Sequence, residues 1–263
     1  MNPENYPIEY IEWKVTFFGR DFIVTPDVLI PRLETEVLVR RARSILSGSH
    51  PNRGSQRGYS QSTPPSLPYT GEEWNQLTIV IDIGCGSGII GTSVADLADE
   101  IIFLDISAEA LAVAEQNFRV HFPDKKAQFI VSDLLSAFIS PPFRGSQRGY
   151  PTQPLLQGEE PASLNILFLT NLPYIRAEDW INMSADTLHE PRLALFGGEQ
   201  TGFEMYERLF AQITELQFSH FQLLCEFGFD QRKVAENVLS WYPWQYSFFT
   251  DYAGIERFGE VRF

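Results

Sequence analysis

The chain is poor in cysteine, in basic residues and in long apolar runs. Its 263 residues include two cysteines, Cys85 and Cys225. They lie far apart and make neither a CxxC metal pattern nor a disulfide framework, so a reducing compartment, the cytoplasm, is expected. Lys and Arg total 20 against 34 Asp and Glu, for a formal charge of -14 and a pI near 4.7. That balance argues against nucleic acid as a partner bound by broad phosphate neutralisation, which needs a surplus of surface Lys and Arg. The longest apolar stretches, such as 79–83 and 166–169, are strand-length and fall short of the roughly 20 residues that span a bilayer. The opening residues are polar and acidic, so neither a signal peptide nor a membrane partner is expected.

What is present is a chain with 44% hydrophobic residues, enough for a substantial core in one large domain or one domain with a small appendage. Two stretches, 47–75 and 140–163, interrupt it with Pro, Gly, Ser and Gln. They share the heptapeptide Arg-Gly-Ser-Gln-Arg-Gly-Tyr, at 53–59 and 144–150. Solenoid repeats need several stacked copies with apolar faces. These polar copies read instead as loop insertions, with RNA binding through the Arg-Gly pairs as the alternative, disfavoured by the net charge.

With the insertions set aside, short apolar runs at 77–83, 101–105, 127–131, 165–170 and 221–227 predict buried parallel strands. Helical patterns at 89–98, 108–120, 202–216 and 230–240 alternate with them, with Ser107 and Asp230 placed as N-caps. The alternation predicts an α/β fold with a doubly wound sheet. The tail, 245–250 and 255–263 around Ala253 and Gly254, predicts an antiparallel hairpin closing the sheet edge. Ahead of the sheet, 13–18 and 21–24 flank Gly19 and Arg20 as a small hairpin, and 34–46 follow as an amphipathic helix.

The chemistry concentrates at strand ends. Asp82-Ile-Gly-Cys-Gly-Ser-Gly88 sits between a strand and a helix, where glycines let the backbone turn tightly and approach a ligand. A nicotinamide site has G-x-G-x-x-G spacing, whereas here the glycines are Gly84, Gly86 and Gly88, with Cys85 and Ser87 between them. No base adjoins Cys85, so it reads as a small loop residue rather than a nucleophile. Asp105 ends the next strand, where a carboxylate can accept both hydroxyls of a ribose.

The third strand ends at Val131-Ser-Asp-Leu134, in which Asp133 is either a ligand contact or an ordinary turn residue. The fourth ends in Asn171-Leu-Pro-Tyr174. That tetrapeptide resembles the (N/D)-P-P-(Y/F/W) motif of amino and amide nitrogen methyltransferases, which implies an amide nitrogen as one candidate methyl acceptor. Such a nitrogen is a poor nucleophile because its lone pair is delocalised, so a site helps by accepting its N–H bonds and fixing its orientation. Asn171 Oδ1 and the Leu172 carbonyl can be those acceptors, Pro173 holds the loop extended, and Tyr174 can supply an aromatic wall. Asn and Pro also form plain turns after strands.

The glycine spacing and Asp105 resemble class I S-adenosylmethionine (SAM) methyltransferases. Phe18-Gly-Arg-Asp-Phe-Ile-Val24, Val28-Leu-Ile-Pro-Arg-Leu-Glu-Thr-Glu36, the His189-Glu-Pro-Arg192 run, Gly202-Phe-Glu-Met-Tyr206, Cys225-Glu-Phe-Gly228 and Asp251-Tyr-Ala-Gly254 resemble the release factor glutamine N5-methyltransferase family in order and spacing. The likeness runs from about residue 17 to the C-terminus, insertions aside. Leu33 and Leu172 stand where that family usually has proline.

The resemblance implies a mostly parallel, seven-stranded class I methyltransferase sheet. It implies SAM as cofactor, held by Gly84, Cys85, Gly86, Ser87 and Gly88, with Asp105 on the ribose, Asp133 on the adenine amino group, Leu134 on the adenine face and Asn171 alongside. The substrate implied is the glutamine of the Gly-Gly-Gln loop of a peptide chain release factor, oriented by Asn171, Leu172, Pro173 and Tyr174, without a metal and in a monomer. It divides the chain into 1–46, a hairpin and linking helix left from a substrate-recognition region, an insertion at 47–75, and a methyltransferase domain at 76–263 with a second insertion at 140–163. Family members usually carry a helical N-terminal domain, of which little precedes the hairpin here. Arg32, Glu34 and Glu36 would stand near the site mouth, unless the acids are only solvated helix-start charges, and Glu190 and Arg192 read as an ion pair.

Two rival functions stay open at this point. Asn-Leu-Pro-Tyr is also the form seen in adenine dimethyltransferases of ribosomal RNA, which keeps adenine N6-methylation of RNA or DNA as an alternative. A non-enzymatic module that binds SAM or a translation factor is the other, and it would show damage to the glycine loop or to Asn171.

Overall fold

A computed structural model describes residues 6–48, 77–139, 164–218 and 220–263. Both heptapeptides and nearly all of the two inserted stretches lie outside the described residues. The chain starts with a short helix, α1 (Ile8–Glu12), a hairpin of β1 (Val15–Phe17) and β2 (Arg20–Phe22), and α2 (Thr35–Leu46). Phe18 and Gly19 take positive φ angles of 48° and 72°, the geometry of a two-residue hairpin turn that matches strand twist. The turn is therefore Phe18-Gly19, and Arg20 belongs to β2 rather than to the turn.

Strands and helices then alternate: β3 (Leu77–Ile83), α3 (Ile89–Val94), β4 (Glu100–Asp105), α4 (Ala108–His121), β5 (Ala127–Val131) and α5 (Ser136–Ile139). They continue with β6 (Leu164–Asn171), β7 (Ile175–Arg176), α6 (Arg192–Leu195), β8 (Phe196–Gly198), α7 (Glu204–Leu216), β9 (Gln222–Glu226) and α8 (Arg232–Leu239). The last two strands are β10 (Gln245–Thr250) and β11 (Glu256–Arg262).

Seven strands form one sheet in the order β10-β11-β9-β6-β3-β4-β5. From β9 to β5 all neighbours are parallel, whereas β11 lies antiparallel to both β9 and β10. The expected mostly parallel sheet with a C-terminal antiparallel hairpin is thus present.

Alternate burial explains the layers. Leu77-Thr-Ile-Val-Ile-Asp-Ile83 is buried at every position after the first, as a strand covered on both faces must be. Ile79, Ile81 and Ile83 pack on one face with Tyr206 and Phe210 of α7 and Val238 of α8. On the other face, Val80 packs with Leu38 of α2, Ile90 of α3 and Phe118 of α4, together with Phe17 and Phe22 of the small hairpin. The period of two in the strand sends successive side chains to opposite layers.

Two local expectations are refined. Residues 89–98 resolve into α3 and a 3₁₀ turn, Ala95–Leu97. Ser107 caps α4, its hydroxyl accepting from the Ala110 N–H at 3.1 Å, but Asp230 caps nothing. Gln231 precedes α8 instead and folds its side chain back, accepting from the Gly228 N–H at 2.8 Å and donating to the carbonyls of Tyr174 and Thr201. Asp230 stays half exposed, 3.9 Å from Arg176.

One buried polar side chain ties the N-terminal hairpin to the sheet. Asn117 of α4 accepts from the Ile23 N–H at 2.7 Å and donates to the carbonyls of Ile23 and Ser87, both at 2.9 Å. An amide that is both donor and acceptor satisfies the backbone of the strand exit and of the glycine loop at once. Asn117→Ala is expected to cost about 2–4 kcal/mol, since it removes these bonds and strands buried backbone groups. A lowered midpoint of urea unfolding at unchanged slope checks this, and an unchanged midpoint would contradict it.

Candidate active site

The glycine loop leaves the carboxyl end of β3 in a conformation that side chains resist. Gly84, Gly86 and Gly88 all have positive φ, at 65°, 52° and 74°, a region that glycine enters at no steric cost. The turn is held by the Cys85 N–H to Leu104 carbonyl bond at 2.9 Å and the Gly88 N–H to Cys85 carbonyl bond at 2.8 Å. The three glycines meet different surroundings. A Cβ on Gly84 would lie 2.9 Å from Leu172 Cδ2, one on Gly88 would lie 2.9 Å from Ala114 Cβ, and one on Gly86 would meet nothing within 4 Å.

The loop borders a cavity of about 400 Å³ at the carboxyl ends of the strands, the expected place and size for a small-molecule site in a doubly wound fold. Gly84, Cys85, Gly86 and Ser87 line it, but Gly88 does not. Gly88 sits behind the loop, where its missing side chain lets α3 approach α4. Asp105 lines the wall, its two carboxylate oxygens accepting from the Gly86 and Ser107 N–H groups at 2.9 Å each. Burial raises its pKa, and these backbone donors oppose the shift. Each oxygen retains a lone pair for a further donor.

Beneath the loop, Asp82 is fully buried and accepts from the Gly91 N–H at 2.7 Å. Burial pushes its pKa up to about 8, with that bond opposing and the Asp105 charge adding. Cys85 is buried and its thiol is raised well above its ordinary range, first by burial and then by Asp82 and Asp105. This excludes an activated thiolate, as its sequence context suggested.

Asp133 and Leu134 also line the cavity. Leu134 adopts a φ of 55°, held by the Ser132 hydroxyl donating to its carbonyl at 2.8 Å. Asp133 is ion-paired with Arg208 of α7, itself a lining residue.

The loop after β6 supplies the opposite wall. Asn171, Leu172 and Pro173 line the cavity, whereas Tyr174 does not. Tyr174 is partly buried, its hydroxyl pKa pushed up to about 12 by burial, and its carbonyl accepts from Gln231 at 2.9 Å, which braces the loop. The Leu172 N–H donates to the Tyr206 hydroxyl at 3.0 Å, and that hydroxyl donates to the Glu226 carbonyl. The Asn171 Nδ2 donates to Thr35 Oγ1 at 3.3 Å.

The segment before α2 closes the rim. Pro31, Arg32 and Thr35 line the cavity. Arg32 bonds Glu190 at 2.5 Å, and Glu190 also accepts from the Ile30 N–H at 3.1 Å. The expected pairing of Glu190 with Arg192 is therefore corrected: Glu190 is buried against the rim, and Arg192 lies over the rings of Trp180 and Phe196, 5.3 and 4.9 Å from their centroids. Glu34 and Glu36 turn away from the cavity. Glu36 accepts from the Phe18 N–H and pairs with Arg40, both at 3.1 Å, and Glu34 approaches Arg257 at 3.9 Å. Thr35 and Arg208 were not picked out from the sequence. Thr35 lay within a quoted motif, but Arg208 carries no local signal, because only the packing of α7 brings it to Asp133.

The chain is similar to known methyltransferases. The family described as Methyltransferase small domain matches residues 72–145. The Release factor glutamine methyltransferase of Nitratidesulfovibrio vulgaris is 32% identical over 96% of this chain and 71% of its own length. That of Chlorobaculum tepidum is 30% identical over 77% of this chain and 56% of its own length, so the chain spans just over half of that relative. The N-terminal domain of human METTL16 in complex with SAH superposes with a TM-score of 0.50 at 13% identity, covering 93% of this chain and 76% of that one. At that identity the likeness speaks for the fold.

Asp82 makes stability depend on pH. Its folded pKa of about 8 lies above its unfolded value, so the folded chain holds a proton that the unfolded chain releases. The favourable contribution is complete below the unfolded value of about 4 and is lost as pH rises through 8. Asp82→Asn is expected to flatten that decline and to be the more stable form at pH 9, by about 1 kcal/mol or more. Unfolding curves at pH 5 and pH 9 decide it, and an unchanged decline in the variant would rule Asp82 out as its source.

Proposed function

The chain belongs to the release factor glutamine methyltransferase family, and from that footing we propose that it transfers a methyl group from SAM to the glutamine side-chain nitrogen in the Gly-Gly-Gln loop of a peptide chain release factor. It is a SAM-dependent N-methyltransferase. The observation that carries the substrate reading is that the Gly84–Ser87 loop and the Asn171-Leu172-Pro173 loop line one cavity from adjacent parallel strands.

The residues present fit SAM. The open side of Gly86 admits a ligand against the backbone, and the remaining lone pairs of Asp105 suit a pair of ribose hydroxyls. We assign Gly84, Cys85, Gly86 and Ser87 to the amino acid and ribose portions, Asp105 to the ribose, and Asp133 and Leu134 to the adenine edge and face. When bound, SAM supplies a methyl group on a positively charged sulfur that leaves as a neutral thioether.

The chain's own work is orientation. Asn171 Oδ1 and the Leu172 carbonyl accept the two N–H bonds of the glutamine amide, which holds its nitrogen facing the cofactor. No strong base is called for, because the amide proton becomes acidic only as the new N–C bond forms and leaves to solvent afterwards. Pro173 keeps the loop extended, and Tyr174 with Gln231 braces it. The replacement of proline by Leu172 has a packing role: its buried side chain fills the space over Gly84.

In this reading the chain acts as a monomer in the cytoplasm. Among the described residues no helix is long and apolar enough to cross a membrane.

The test is methyl transfer from labelled SAM to a purified release factor and, in parallel, to unmodified ribosomal RNA, with the modified residue located by mass spectrometry. Label on the glutamine of Gly-Gly-Gln is expected, and label confined to RNA adenine would overturn the assignment. Asn171→Ala is expected to lower turnover by about 100-fold or more with SAM binding retained, because amide orientation is lost. Asp105→Ala should instead weaken SAM binding measured by calorimetry, and unchanged affinity would remove Asp105 from the ribose site.

A further inference from the structure

Glu226 ends β9 and is the register partner of Asn171 at the end of β6. Its side chain is completely buried, and among the described residues neither carboxylate oxygen has a partner of hydrogen-bond geometry. Burying a carboxylate this way costs stability, and among the described residues no ion pair uses it. The neighbour that most stabilises its charge is the Thr35 hydroxyl, and Thr35 Oγ1 is also the acceptor for Asn171 Nδ2. Thr35 thus bonds Asn171 and neighbours Glu226, and Asn171 and Glu226 stand side by side at the ends of adjacent strands.

Resting on the reading of Asn171 as the acceptor for the substrate amide, we infer that Glu226 and Thr35 are positioning residues that set which way the Asn171 amide points. A threonine hydroxyl has one proton to donate. When the Glu226 carboxylate attracts that proton, Thr35 offers only lone pairs to Asn171. The amide must then turn Nδ2 toward Thr35 and Oδ1 toward the cavity. When Glu226 is protonated, the Thr35 proton is free to go to Asn171 Oδ1, and the amide rotates. Its NH₂ then faces the NH₂ of the substrate, donor against donor. The two orientations of an asparagine amide have nearly the same shape, so hydrogen-bond polarity alone separates them.

The relay titrates. Burial pushes the Glu226 pKa up to about 7, opposed by Thr35, Arg257 and Arg32 and assisted by Glu34. Tyr174 from the β6 loop and Tyr206 from α7 also face it and stay neutral, both raised by burial. Deprotonated Glu226 is the productive form, so turnover rises with pH through this range.

The experiment compares the parent chain with Thr35→Val, Thr35→Ser and Glu226→Gln by two readouts. The first is hydrogen exchange of the Asn171 side-chain amide in 15N-labelled protein at pH 8, its signal identified by its loss in Asn171→Asp. The second is kcat against pH with a release factor as acceptor, alongside SAM affinity. Thr35→Val and Glu226→Gln are each expected to speed the exchange by about 10-fold and to lower kcat by a similar factor, with SAM affinity retained. Thr35→Ser, which keeps the hydroxyl, should restore what Thr35→Val loses, and Glu226→Gln should flatten the fall in kcat below pH 7. Equal protection of the Asn171 amide in Thr35→Val, or a parent-like kcat and acid limb in Glu226→Gln, overturns the relay. If the parent transfers no methyl to glutamine, the functional reading fails, and the exchange comparison still decides the relay.

Discussion

The loops that leave β3 and β6 touch, and the cavity depends on that contact. Leu172 reaches over Gly84 so closely that any side chain there would lie 2.9 Å from Leu172 Cδ2. The glycine loop and the loop after β6 therefore cannot shift independently. The contact is reinforced below it, where the Thr170 hydroxyl donates to the Ile83 carbonyl at 2.8 Å. It is reinforced behind by Tyr206, whose hydroxyl links the Leu172 N–H to the end of β9. Rigid elements thus carry both walls of the cavity.

Buried carboxylates gather around this junction, and each is accommodated differently. Asp105 accepts from backbone N–H groups, Asp82 from the Gly91 N–H, Glu190 from Arg32, and Glu226 faces a hydroxyl. Burial raises the pKa of all four. Raised in this way, Asp82 stays protonated at neutral pH and Arg32 offsets Glu190, so the confined acids add little net charge to this end of the sheet.

The N-terminal segment is part of the site rather than an appendage. Phe17, Phe22 and Leu38 are buried in the same layer as Val80 and Phe103, and Asn117 ties the hairpin exit to the glycine loop. Once the segment is packed there, Arg32 and Thr35 have no choice but to stand at the cavity rim. Thr35 then bears on Asn171, which is 136 positions away in sequence.

Much of this was legible in the residues alone. The near-continuous apolar run of Leu77–Ile83 requires a strand covered on both faces, and glycines at every second position after it require a turn that only a residue without Cβ makes freely. Asp105 and Asn171 could be placed at the ligand side because strand ends in a doubly wound sheet share one edge. Side-chain partners were not legible, since polar groups choose among neighbours that only packing provides. Gly88 and Tyr174 fall outside the cavity lining, Glu190 takes Arg32 rather than Arg192, and Gln231 displaces Asp230 at α8. Local pattern determined the elements and the chemistry at their ends, because both depend on spacing along the chain. Tertiary structure decided which acids are buried, what each one meets and how the Asn171 amide is held, because those depend on distance across it.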